Sequence, residues 1–254
     1  MGKYAVTGAA SGIGAAIVNK LKAQGHEIIT IDLRNADINV DLSSSEGRQA
    51  AIDGILKAAP EGLDGFVPCA GVGPQTNPIS LVTKINYFGT VALVEALKDN
   101  LAKKKGAIVL ISSNSATMMP YDPAYLQALA DNDEAGAVAL VEKLDGQTAY
   151  GGSKFAVACW MRKNNQAYAA AGIRVNAIAP GYTETALTKA GMQDPVYGPS
   201  IKAFVDSIPI GRPGLPEDQA NATAFLLSQE ASFISGVVLF VDGGHDAFFR
   251  PNNF

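Results

Sequence analysis

The chain has 254 residues, 48% of them hydrophobic, and its 24 acidic and 20 basic residues give a net charge of −4. That balance leaves no electrostatic footprint for nucleic acid, and no apolar run nears the ~18 residues a membrane span needs, so a cytoplasmic protein is expected. No Pro/Ser-rich linker, charge block or internal repeat divides the chain, and the length suits one sheet layered with helices.

The first element is a short apolar strand, Lys3 to Val6, followed by Thr7-Gly8-Ala9-Ala10-Ser11-Gly12-Ile13-Gly14. Strand, glycine turn and helix start in that order form a cradle for a dinucleotide pyrophosphate. Gly8 makes the sharp turn, Gly12 lets the cofactor approach the backbone, and Gly14 lets the helix pack on the strand. The helix N-terminus around Ser11 and Ile13 offers unpaired N–H groups to the phosphates. Helical periodicity runs from Ile13 to about Ala23, and Gly25 ends it. A second strand, Glu27 to Ile31, closes at Asp32. A carboxylate there is placed to bond the adenosine ribose and to repel a 2′-phosphate, which predicts NAD over NADP. Arg34, two residues on, could salt-bridge that phosphate, and a plain strand-end turn is the other reading of Asp32.

A short extended piece covers Ile38 to Asp41. Ser43-Ser44-Ser45-Glu46 then has capping-box spacing, and a helix runs to about Ala59. Leu63 to Cys69 reads as a buried strand, Pro78 to Lys104 as one long helix, and Ala107 to Ile111 as another strand. Residues 114–149 are too many for a simple strand-to-helix turn. Helical spacing at Leu126/Leu129 and Leu140/Val141/Leu144, with an acidic break at Asp131 to Glu134, predicts a small helical insertion over about 115–147 beside the site. A long helix spans Gln147 to Ala171, and a strand spans Ile173 to Ala179. Helices near Pro199–Asp206 and Glu217–Ser228 precede a last strand, Val237 to Val241. Alternating apolar strands and helices predict an α/β, doubly wound parallel sheet covered on both faces. Ligands bind such sheets at the strands' carboxyl ends. Gly8, Asp32, Gly71, Ser112, Ser113 and Pro180 gather there.

Cys69 and Cys159 lie far apart in apolar surroundings and read as buried free thiols. His26 and His245 have no Cys, Asp or Glu cluster around them, so no metal site is expected. Chemistry is carried instead by Tyr150 and Lys154, a phenol and an ammonium at i and i+4 on one helix face. A phenol's pKa of about 10 is too high for ready proton exchange near neutrality. Lys154, together with the positive charge of an oxidised nicotinamide ring, would lower it; about 3 units takes about 4 kcal/mol. A surface pair is the plain alternative, and what favours chemistry is the pair's place after the strand ending at Ser113.

The glycine pattern, Ser112-Ser113, Tyr150-xxx-Lys154, Pro180-Gly181 and Asn86-Tyr87-Phe88-Gly89 resemble those of the short-chain dehydrogenase/reductase family over essentially the whole chain. The Gly-xxx-Gly-x-Gly spacing sets it apart from the family's extended branch of epimerases and dehydratases. The resemblance implies a Rossmann fold and hydride transfer between NAD(P) and an alcohol/carbonyl pair. By residue, it implies Tyr150 as general acid/base, Lys154 as the group that lowers its pKa and holds the nicotinamide ribose, and Ser113 as the residue that orients the substrate oxygen. Asn86 would carry a water relay to Lys154. Ser11, Ile13, Asp41, Leu42, Gly71, Pro180, Gly181, Thr183 and Thr185 would line the cofactor, with Thr185 equally readable as a helix cap. Pro68-Cys69-Ala70-Gly71 departs from the family's Asn-Asn-Ala-Gly.

Within the family the chain is most similar to the bacterial 3α-hydroxysteroid dehydrogenase/carbonyl reductase branch. Asp32-Leu33-Arg34, Cys69 to Thr76, Thr183 to Leu187, the insertion and the Arg250-Pro251 tail carry that likeness. It implies a homodimer formed through a face other than the four-helix interface that the insertion obstructs. The expected activity is therefore NAD-dependent interconversion of a secondary alcohol and a ketone, on a hydrophobic cyclic substrate such as a 3-hydroxysteroid. Leu187, Met192, Val196, Tyr197, Ile201, Phe204 and Val205 make the 186–206 segment apolar, suited either to a lid over substrate or to packing on the core. The rival readings are a reductase of smaller cyclic or aliphatic ketones and a non-catalytic NAD-sensing regulator.

Overall fold

The computed structural model describes residues 1–118, 121–192 and 198–253. Seven parallel strands form one sheet: β1 (Lys3–Thr7), β2 (Glu27–Asp32), β3 (Ile38–Asn39), β4 (Gly65–Pro68), β5 (Ala107–Ile111), β6 (Arg174–Pro180) and β7 (Val238–Val241). Their spatial order is β3-β2-β1-β4-β5-β6-β7, so the chain reverses direction across the sheet between β1 and β4. All five residues of β5 are buried, as a strand covered on both faces requires.

Successive strand side chains feed two cores. On one face, Ala5, Ile29, Ile31, Phe66, Ile108 and Leu110 pack beneath α2 (Ser45–Ala58), α4 (Thr90–Ala96) and α8 (Gly146–Ala170). On the other, Tyr4, Val6, Ile28, Val67, Val109 and Ile178 pack beneath α1 (Gly12–Ala23) and α11 (Pro216–Leu227). Arg174, at the start of β6, donates to the carbonyls of Leu226, Leu227 and Ser228 and so caps the C-terminal end of α11.

The segment expected as one helix over 78–104 is divided. It comprises α3 (Ser80–Thr83), a π-helical turn (Lys84–Gly89), α4 and α5 (Lys98–Ala102). The wide turn coincides with Asn86, fully buried, whose amide bonds the Val72 backbone in both directions at 2.8 and 3.1 Å. π-turns inside helices recur at functional sites. Ser44 caps α2, its hydroxyl accepting from Gly47 N, one residue later than the capping-box spacing suggests.

The residues before α8 fold into α6 (Pro123–Ala130) and α7 (Glu134–Val141), capped by Asp122 and Asp133. Tyr125, Leu129, Ala137 and Val141 are fully buried in the first core. A bidentate pair, Arg48 Nη1 and Nη2 to Glu134 at 2.9 and 2.7 Å, ties α7 to α2. The remaining helices are α9 (Ala186–Met192), α10 (Gly198–Asp206) and α12 (His245–Phe249). Both cysteines are free, but Cys159 is exposed rather than buried, because it lies on the outer face of α8; Cys69 is half-buried. No helix among the described residues is long and apolar enough to cross a membrane, and no His/Cys/Asp/Glu group among them could hold a metal ion.

Candidate active site

Gly8 turns the chain with φ of 65°, and a Cβ there would come within 2.8 Å of the Ala70 backbone. Thr7 fixes the facing segment, its hydroxyl accepting from Ala70 N at 2.9 Å. Gly12, φ 53°, faces Thr185, and a Cβ on Gly14 would collide with the Gly8 carbonyl. α1 therefore starts directly against the loop. Ser11 is its N-cap in extended backbone with no side-chain cap, and the first turn holds no acidic residue, so the first-turn donors and dipole are left for an anion.

Asp32 closes the loop from the side. Its carboxylate accepts from Ala10 N at 2.9 Å and Leu33 N at 2.7 Å, joining the glycine loop to the end of β2. Two oxygens offer about four acceptor sites, so two backbone bonds leave it able to accept from a ligand. Asp41 accepts from Ser43 N, and Leu42 is buried in the core with its backbone near Gly89. On the opposite wall, a Cβ on Gly71 would lie 3.2 Å from Asn86 Oδ1 and 3.4 Å from Lys154 Nζ. Only a glycine leaves that space open in front of the ammonium.

The end of β5 sorts the two serines. Ser112 points into the fold and donates to the Lys154 carbonyl at 2.9 Å, whereas Ser113 faces Tyr150. Lys154, 5% exposed, lies with Nζ 5.9 Å from the centre of the Tyr150 ring and donates to the Ile111 carbonyl at 3.0 Å. Burial pushes the ammonium down to about 8. The expected lowering of the phenol is not what the protein alone produces: burial raises the Tyr150 pKa, and the Ser113 hydroxyl opposes that rise. The phenol is thus protonated at neutral pH, a donor toward a carbonyl oxygen. Cys69, beside Lys154, is pushed up to about 12 by burial and is no nucleophile.

Asn86 sits between Val72 and Ser153, with Nδ2 3.4 Å from the Ser153 hydroxyl. Pro180 ends β6, and Gly181 donates to the Val241 carbonyl, so close to Asp242 that a Cβ would fall 2.6 Å from that side chain. Thr183 is buried, its hydroxyl donating to the Gly181 carbonyl and accepting from Gln219. Thr185 Oγ1 accepts from Thr188 N, so it caps α9 while facing Gly12. Of the apolar 186–206 residues, Met192 is exposed, Ile201 and Val205 are half-buried, and Phe204 packs on His245 and Phe249. Val196, Tyr197 and the side chain of Leu187 lie outside the described residues. Sequence reasoning missed Thr7 and Gln219, whose partners are distant in sequence, and Ser115 and Tyr121, which bond Ser113 and Ser115 only two and six residues away. One local signal was available: two consecutive glycines, Gly151 and Gly152, inside a helix.

Fold and site together define a class, the α/β oxidoreductases that bind a dinucleotide where the strand order reverses. A family profile described as short chain dehydrogenase matches residues 3–125, and one described as enoyl-(acyl carrier protein) reductase matches 136–246. The 3-alpha-hydroxysteroid dehydrogenase/carbonyl reductase of Comamonas testosteroni is 44% identical over 98% of both chains. The cis-4-hydroxycyclohexanecarboxylate dehydrogenase of Sinomonas cyclohexanicum is 34% identical over 95% of both. The crystal structure of the 3-alpha-hydroxysteroid dehydrogenase from Pseudomonas sp. B-0831, complexed with NADH, superposes with a TM-score of 0.94 at 43% identity, covering 99% of this chain and 100% of that one. The chain belongs to the short-chain dehydrogenase family.

Proposed function

We propose that this oxidoreductase interconverts a secondary alcohol and a ketone with NAD(H), on a hydrophobic cyclic substrate such as a 3-hydroxysteroid. The observation that carries it is the meeting of Ser113, Tyr150 and Lys154 at the strand ends, across from the Gly8–Gly14 loop. NAD(H) fits the residues present: α1 donors for its pyrophosphate, Asp32 for a ribose, and the opening at Gly71 in front of Lys154. Bound there, it supplies the hydride acceptor or donor.

This chain's own residues handle the oxygen and its proton. In reduction, the Tyr150 phenol gives its proton to the carbonyl oxygen while Ser113 donates a second hydrogen bond. Preorganised donors aimed at a developing alkoxide supply much of such a rate enhancement. In oxidation the phenolate takes the proton back, and the Lys154 ammonium favours that charge. Lys154 is buried, and Tyr150 is half-buried beside it.

Turnover is read by nicotinamide absorbance with steroid, monocyclic and aliphatic alcohols. Tyr150→Phe should cut kcat by about a thousand-fold or more while NAD still binds. Full turnover in that variant would overturn the assignment. Preference for the monocyclic arm would favour the second reading, a smaller cyclic ketone, which the Sinomonas relative's name supports. The reading includes a cytoplasmic location and a homodimer.

A further inference from the structure

The oxygen of Ser113 is engaged from behind. It accepts from the Ser115 backbone N–H at 3.2 Å and from the Ser115 hydroxyl at 2.9 Å. A hydroxyl has one proton and two lone pairs. With both lone pairs taken, the only function Ser113 has left to present at the site is its proton. We propose that Ser115 is a positioning residue that holds Ser113 as a one-way donor, toward the Tyr150 phenol oxygen in the free protein and toward the substrate oxygen that Tyr150 also bonds in the complex.

A carbonyl oxygen or an alkoxide can only accept. A serine free to rotate would meet it with lone pairs in part of its orientations, and those orientations contribute repulsion. Locking the polarity beforehand removes them, which is the sense in which a donor is preorganised. Ser115 is itself held. The Tyr121 hydroxyl donates to the Ser115 carbonyl, and the Tyr121 ring rests on Phe155 with centres 5.9 Å apart. Tyr121 also lies over Gly151, the residue after Tyr150, where a Cβ would run into its hydroxyl. One phenol from outside the catalytic helix therefore sets the distance between the Ser113 turn and the turn that carries Tyr150.

The inference rests on the proposed chemistry at Tyr150, but its primary test does not need turnover. Tyrosines labelled with carbon-13 at Cζ report on the Tyr150 phenol by NMR, with Tyr150→Phe identifying the signal. In Ser115→Ala the Ser113 proton is freed to turn away, so the Cζ shift should move and the phenol should titrate higher by about half a unit or more. Ser115→Thr, which keeps the hydroxyl, should restore the wild-type signal. Tyr121→Phe should move it the same way by less. In turnover, Ser115→Ala should lower kcat several-fold near neutrality and displace the alcohol-oxidation pH profile upward, with KM for NAD unchanged. A Cζ signal that Ser113→Ala moves and Ser115→Ala does not would overturn the proposal, as would identical behaviour of the alanine and threonine variants. Lack of wild-type turnover with every alcohol would instead end the functional reading, leaving the phenol signal to decide the role of Ser115.

Discussion

Lys154 brings a charge into a place that disfavours it, and that has a measurable consequence for stability. Its ammonium is held at about 8, by burial first, against about 10.4 in an unfolded chain. Between those values the unfolded chain binds the extra proton, so folding is favoured as pH rises through the window. Below about pH 8 both states are protonated and the burial cost is constant. Wild-type stability relative to Lys154→Met should thus be flat below pH 8 and climb toward pH 10, by up to about 1.4 kcal/mol per pH unit. Urea midpoints at pH 7 and 9.5 measure it. An unchanged gap would mean the ammonium is hydrated in solution. The identities of Tyr150 and Lys154 as a pair were legible because i, i+4 spacing is local. The direction of the phenol's shift was not, because it depends on burial by elements far away in sequence. Asp32 shows the same division: its place at a strand end could be read, its bond to Ala10 N could not.

Among elements, the strands and α1 announced themselves through period and turn chemistry, and the paired apolar stripes of α6 and α7 through helical spacing. The break over 78–104 did not, since the wide turn coincides with Asn86 reaching the Val72 backbone, a contact between residues fourteen apart. Also hidden was the tie between α2 and α7. Arg48 is buried and Glu134 one-third exposed. Removing the carboxylate strands a guanidinium whose remaining bond is to the Ser44 carbonyl. Glu134→Ala should therefore cost about 1–3 kcal/mol of unfolding free energy, read from urea denaturation. A cost under about 0.5 kcal/mol would place the pair with solvent-screened surface bridges.

On the scale of the whole molecule, β7 is the last strand of the sheet, and Phe225 on α11, Phe233 and Val237 before β7, and Phe248 on α12 are exposed. Edge strands and exposed apolar side chains invite association. A second copy of the chain is the proposed occupant, and light scattering should give twice the chain mass. Phe233→Asp with Phe248→Asp should shift that mass toward the monomer, whereas a monomeric wild type would reject the dimer. The two glycines after Tyr150 carry a different lesson, about portability. A Cβ on Gly152 would sit 3.0 Å from the fully buried Tyr125 ring, just as one on Gly151 would meet Tyr121. Glycine inside a helix weakens it by about 1 kcal/mol per position, a penalty tolerated here because aromatic rings occupy the vacated room. Transplanting residues 121–141 onto a relative with alanines at those positions would leave the rings nowhere to settle, and deleting that segment here would leave α8 with two soft residues and nothing packed over them. Engineers must move graft and glycines as one unit.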